Sequence, residues 1–172
     1  MPPVQQSAHI YRAAIGHYNL AAPAYSDDAL LNSAVMAVVA NMSFCVELLL
    51  KCSDSYVKKG PSGPGGVIAP AVIGSNAWGH DLVKVFDALN ADVSTDLAAL
   101  FEQETGKPIR PLLEKCRGYF EAARYSFSYK IMSYDVSAVK DLADGLIRAL
   151  HKGYGGPAHP ADAPQANAAV DS

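Results

Sequence analysis

Cysteine is scarce in this chain, charge is thin, and strand-like sequence is missing. The three cysteines, Cys45, Cys52 and Cys116, are odd in number and have no C-x-x-C spacing. They argue against a disulfide framework or a cysteine zinc site and fit reduced, buried thiols of a cytoplasmic protein. No run alternates apolar and polar residues between turn signals, so the pattern excludes a β-class fold. Only 18% of residues are charged and the net charge is −3, so there is no general footprint for nucleic acid or an anionic membrane. Any basic site must be local. No nucleotide fingerprint or Ser-His-Asp pattern is present. Residues 60–66 neither follow a strand nor end in the Lys-Ser/Thr of a phosphate loop. His9, His17, His151 and His159 lack carboxylate or cysteine partners at metal-ligand spacing, so no metal site and no cofactor are expected.

What is present is apolar and helical. Half of the 172 residues are hydrophobic, the composition and size of one globular domain, expected over residues 1–152. The first six residues lack the basic and apolar regions of a signal peptide. The most membrane-like run, residues 30–46, is interrupted by Asn32, Ser33, Asn41 and Ser43 and is short for a bilayer span. It reads as the core helix of a soluble protein with no membrane partner.

Ser26 is placed to cap that helix, with Asp27 and Asp28 in its first turn. Leu31, Val35, Val38, Met42, Cys45, Leu49, Cys52 and Tyr56 then follow in steps of four and three, which predicts one buried stripe over about eight turns. Leu30, Ala34, Ala37, Phe44 and Leu48 broaden it, as in the central helix of a bundle. A second long helix is expected through Ile109, Leu113, Cys116, Phe120, Ala123 and Phe127, starting after Pro108. Between them the pattern predicts a short helix from His80 to Leu89 and another capped by Ser94 that ends near Gly106. A last helix is capped by Asp135 and runs from Val136 to about Gly153, and an N-terminal one covers about Ala8 to Leu20. The class is all-α, a bundle of five or six helices. Residues 60–79 form a long Gly/Pro-rich loop, either packed on the bundle or serving as a lid or partner surface. Residues 153–172, rich in Ala, Pro and Gly, read as a disordered tail.

Three short motifs stand in order on these helices: Glu47-Leu48-Leu49-Leu50-Lys51, then Gly79-His80-Asp81-Leu82 at a helix start, then Phe120-x-x-x-Arg124-Tyr125. Together they resemble the HEPN superfamily (higher eukaryotes and prokaryotes nucleotide-binding domain) over about residues 26–151. The resemblance implies an antiparallel helical bundle that commonly homodimerises. Many members are metal-independent ribonucleases using Arg-x(4–6)-His across the dimer; others have lost that motif and act as RNA-binding, regulatory or interaction modules. Here Arg124 is followed by Tyr125, Ser126, Phe127, Ser128, Tyr129, Lys130 and Ile131, so the histidine position is empty. The expectation is therefore a non-catalytic HEPN-like homodimer that binds RNA, a nucleotide or a protein. Its alternatives are a divergent metal-independent endoribonuclease of toxin or defence type using Arg124 with His80, and a structural dimerisation domain.

The chemistry explains why the gap counts. RNA cleavage without a metal needs a base for the 2′-hydroxyl, an acid for the leaving oxygen and a cation for the phosphorane. Arg124 can be the cation. Tyr129, with an unperturbed pKa near 10, is a poor base, and losing acid–base catalysis costs on the order of 10²–10⁴-fold. His80 substitutes only if the fold brings it beside Arg124. Otherwise His80 and Asp81 serve the helix start. Glu47 and Lys51 are four apart, as an exposed helix pair or as part of a polar cluster with His80 or Arg124. Asn41 reads as a satisfied polar core residue. Arg110, Arg117 and Arg124 are seven apart, and residues 107–130 carry six cations against two carboxylates, a net +4. That stretch is either a groove for RNA or nucleotide phosphate, with Tyr119, Tyr125 and Tyr129 for stacking, or a salt-bridged flank or dimer seam. The candidate binding residues are Glu47, Lys51, His80, Asp81, Arg117, Arg124 and Tyr125.

Overall fold

The structure, a computed structural model, describes residues 8–58, 72–125 and 133–154. These are mostly helical: α1 (Ala8–Ala21), a 3-10 segment (Ala22–Ser26), α2 (Asp28–Ser53), α3 (Leu82–Asp87), α4 (Ala91–Thr105), α5 (Ile109–Cys116), α6 (Tyr119–Arg124) and α7 (Val136–Tyr154). A short hairpin, β1 (Ser55–Lys58) and β2 (Val72–Ser75), flanks the undescribed part of the long loop.

The central helix is α2, which packs against α1, α6 and α7. Its cap is Asp27 and not Ser26, because Asp27 is extended and its carboxylate accepts from the Leu30 amide at 3.0 Å. Val38, Met42, Cys45, Leu49 and Cys52 are fully enclosed, as their spacing predicts. The stripe is interrupted at both ends. Ala34 has non-helical φ/ψ of −121° and 16°, and the helix stops at Ser53. Tyr56 therefore lies on β1 opposite Gly74 and is exposed. Gly74 fits there because a Cβ would come within 2.9 Å of the Tyr56 ring. The helix is long and apolar enough to cross a membrane by length and composition, but half of its apolar window is buried by the rest of the chain.

The long helix expected from Ile109 is divided. α5 ends at Cys116, and α6 begins at Tyr119 after a turn at Arg117 and Gly118. The Arg117 carbonyl accepts instead from the Leu82 amide at the start of α3. Both halves still bury their apolar positions, Ile109, Leu113 and Cys116 on one, Phe120 and Ala123 on the other. Phe127 lies outside the described residues, as do residues 59–71 of the loop and 155–172 of the tail.

Two starts also move. α3 begins at Leu82, capped by Asp81 through the Val83 and Lys84 amides. α4 is capped by Asn90, four residues before Ser94, through the Asp92 amide, and ends at Gly106 with φ +68°. Asp135 caps α7 as expected, accepting from the Ala138 amide at 2.9 Å. α4 and α7 meet at Gly145, where a Cβ would stand 2.3 Å from the Phe101 ring.

Candidate functional site

Glu47 is one of few charged groups the core accepts, at 1% exposure. It lies on the last turns of α2, and burying a carboxylate alone would be prohibitive. Both oxygens are used: Oε1 accepts from Lys51 Nζ at 2.7 Å and Oε2 faces His80 Nδ1 at 2.8 Å. The helix spacing delivers Lys51. His80 comes from the loop before α3, and two features hold it there. Lys51 Nζ also donates to the Gly79 carbonyl at 3.3 Å, and Gly79 has φ +88°, a conformation that favours glycine. The Glu47–Lys51 pair is thus part of a semi-buried cluster and not an exposed helix pair.

Past His80 the site becomes aromatic. The His80 ring lies 4.6 Å from the Phe120 ring centre, tilted by 42°. Arg124, one turn along α6, places its guanidinium carbon 5.8 Å from the same ring and 5.5 Å from that of Tyr125. Phe120 thus brings His80 and Arg124, 44 residues apart in sequence, to one surface. Trp78, the single tryptophan of the chain, stands 84% exposed just before Gly79, and Tyr125 is also exposed.

The basic stretch resolves into pairs. Lys107 binds Asp141, Arg110 binds Asp87 and Glu114, Lys115 binds Asp135, and Arg117 binds Asp81. Four of the six cations are therefore satisfied on a salt-bridged flank, and Lys130 lies outside the described residues. Arg124 has no carboxylate partner among the described residues. Asp81 is engaged twice, as helix cap and as partner of Arg117 at 2.7 Å. Burial opposes its ionisation, but the Arg117 guanidinium and the two backbone amides outweigh that and hold its carboxyl below the usual range. Asp81 and Arg117 thus form a structural pair beside the site.

Of the seven expected site residues, Glu47, Lys51 and His80 form one hydrogen-bonded cluster, Arg124 and Tyr125 join it across Phe120, and Asp81 and Arg117 stand apart. Sequence reasoning assigned Phe44 to the core only, read Phe120 as a core position and as the first residue of the Phe120-x-x-x-Arg124-Tyr125 motif, and passed over Trp78. The signal available for Trp78 was its position, two residues before His80. Among the described residues no group of three His, Cys, Asp or Glu side chains is gathered to hold a metal ion. No protein-family model, no curated protein and no solved structure matches the chain.

Proposed function

We propose that this chain is an HEPN-like antiparallel helical module that binds single-stranded RNA, as a homodimer and without being a catalyst. One observation carries the reading. Arg124 is the one member of the described basic stretch left without a carboxylate, and it shares the Phe120 ring with His80. A guanidinium set beside aromatic rings and without a carboxylate partner among the described residues is suited to a phosphate, which it can grip bidentately. His80 adds a donor or acceptor through Nε2, since Nδ1 is taken by Glu47. Trp78 and Tyr125 offer faces for unpaired bases. The test is fluorescence anisotropy of a labelled single-stranded oligoribonucleotide. Arg124→Ala should weaken binding by about ten-fold or more, the size of one lost charge-assisted bond. Binding unchanged in Arg124→Ala and His80→Ala would remove the reading.

The Glu47–His80 contact favours a second reading, metal-independent RNA cleavage of a toxin or defence type. A carboxylate on Nδ1 fixes the ring so that Nε2 can take the proton of a 2′-hydroxyl. The 2′-oxygen then bonds to phosphorus, the P–O5′ bond breaks, and the proton passes to the 5′-oxygen, with Arg124 balancing the phosphorane charge. Incubation with RNA in EDTA decides it: cyclic-phosphate ends lost in His80→Ala support cleavage, and intact RNA at micromolar protein rejects it.

A further inference from the structure

The ring stack does not stop at Phe120. Phe44 of α2 lies 5.1 Å from Phe120, nearly parallel at 22°, and His17 of α1 meets Phe44 edge-on at 4.7 Å. His17 Nδ1 is 2.8 Å from Asn41 Oδ1. The Asn41 amide is oriented by its own Nδ2, which donates to the Ala37 carbonyl at 2.8 Å. An amide oxygen only accepts, so Nδ1 of His17 carries the hydrogen and its basic nitrogen is Nε2. His80 is built the same way, with Glu47 as the acceptor on Nδ1. Neither Nε2 has a partner among the described residues.

All of this follows one outer face of α2. Ala37, Asn41, Phe44, Leu48 and Lys51 recur in steps of four and three, and none of them is fully buried. The opposite stripe of the same helix is fully enclosed. Two histidines whose rings are locked at Nδ1 therefore bracket a pair of stacked phenylalanines, with Arg124 beside one of them. A histidine needed only for packing between α1 and α2 would not require an amide to fix its tautomer, nor a phenylalanine left partly open to solvent at its edge.

We infer that His17 forms a second subsite of the RNA surface, contacting the sugar–phosphate of a nucleotide further along the strand than the one held by Arg124, with a base packing on Phe44. This rests on the RNA-binding reading of Arg124 and His80. The site is then a track along α2 and not a single phosphate pocket, and affinity must rise with strand length.

Quenching of Trp78 emission by a dinucleotide and by a hexanucleotide tests the track, since Trp78 is the only tryptophan and lies at the His80 end. His17→Phe keeps a ring against Phe44 but removes Nε2; His17→Gln keeps a polar end but removes the ring, and circular dichroism checks that both fold. The expected result is dinucleotide binding as in the unaltered protein, with hexanucleotide affinity reduced about ten-fold in His17→Phe. Wild-type length dependence in His17→Phe and His17→Gln, with binding still dependent on Arg124, overturns the second subsite alone. Binding of either oligonucleotide that ignores Arg124 overturns the reading beneath it as well.

Discussion

Glu47 Oε2 lies 2.8 Å from His80 Nδ1, across 33 residues of sequence and at 1% exposure of the carboxylate. With Lys51 on the other oxygen, the contact fastens the loop before α3 to the end of α2. Glu47→Gln keeps the shape but replaces a carboxylate oxygen by an amide that cannot accept from both neighbours. It should lower unfolding free energy in urea by about 1–3 kcal/mol, the cost of an unsatisfied buried partner. It should also broaden the His80 imidazole resonances as the ring loses its anchor. Unchanged stability and resonances would contradict the cluster.

The acid arm of stability has an identifiable contributor. The Lys115 ammonium, the Ala138 amide and the Ser137 hydroxyl hold the Asp135 carboxyl down to about 2, against about 3.9 for a free aspartate. A depressed folded pKa adds stability that is fully present above the unfolded value and is lost as pH falls through the folded one. The window is thus about pH 4 to 2. Because the pair is partly exposed, the effect is modest. Asp135→Asn keeps a cap oxygen but loses the Lys115 pair, so it should lower the melting temperature modestly at pH 7, meet the unaltered protein near pH 2 and show a flatter acid arm between. An acid arm as steep as in the unaltered protein would contradict this.

Two glycines in helices should respond in opposite directions. Gly145→Ala drives a methyl to 2.3 Å from the Phe101 ring and 2.7 Å from Thr105 Cγ2, so α4 and α7 must separate. The expected cost is about 1–3 kcal/mol. At Gly16 of α1 a Cβ meets nothing within 4 Å, and alanine there should stabilise by about 0.5–1 kcal/mol. Thermal melts of the two variants check both signs.

Burial pushes the thiols of Cys52 and Cys116 up to about 12, and that of Cys45 higher still. A thiol reagent at neutral pH should label none of the three in the folded protein and all three in guanidinium, read by mass. Rapid labelling of the native chain at Cys45 or Cys52 would contradict the placement of α2 in the core, and at Cys116 that of α5.

Sequence spacing revealed much of this fold, and its failures have physical causes. Val38 through Cys52 could be placed because a helix repeats its face every three to four residues. The division of α5 from α6 could not, because Cys116 and Phe120 stay in phase across it. Only the Leu82 amide, from a distant element, shows where the Arg117 carbonyl has gone. Glu47 with Lys51 was legible as a helix pair, but the third member, His80, depends on how the loop returns. The basic stretch misled for a related reason: Asp81, Asp87, Asp135 and Asp141, which neutralise it, come from outside it. Among the described cations of the stretch, Arg124 is the one that this pairing leaves without a carboxylate.

Arg124 is therefore the residue on which RNA binding should depend most. Trp78 emission can be titrated with a single-stranded oligoribonucleotide for three proteins: the unaltered chain, Arg124→Ala, and Lys107→Ala, whose charge is already spent on Asp141. Binding is expected to weaken about ten-fold or more in Arg124→Ala and to stay within about two-fold in Lys107→Ala. Equal affinities for all three proteins would contradict it.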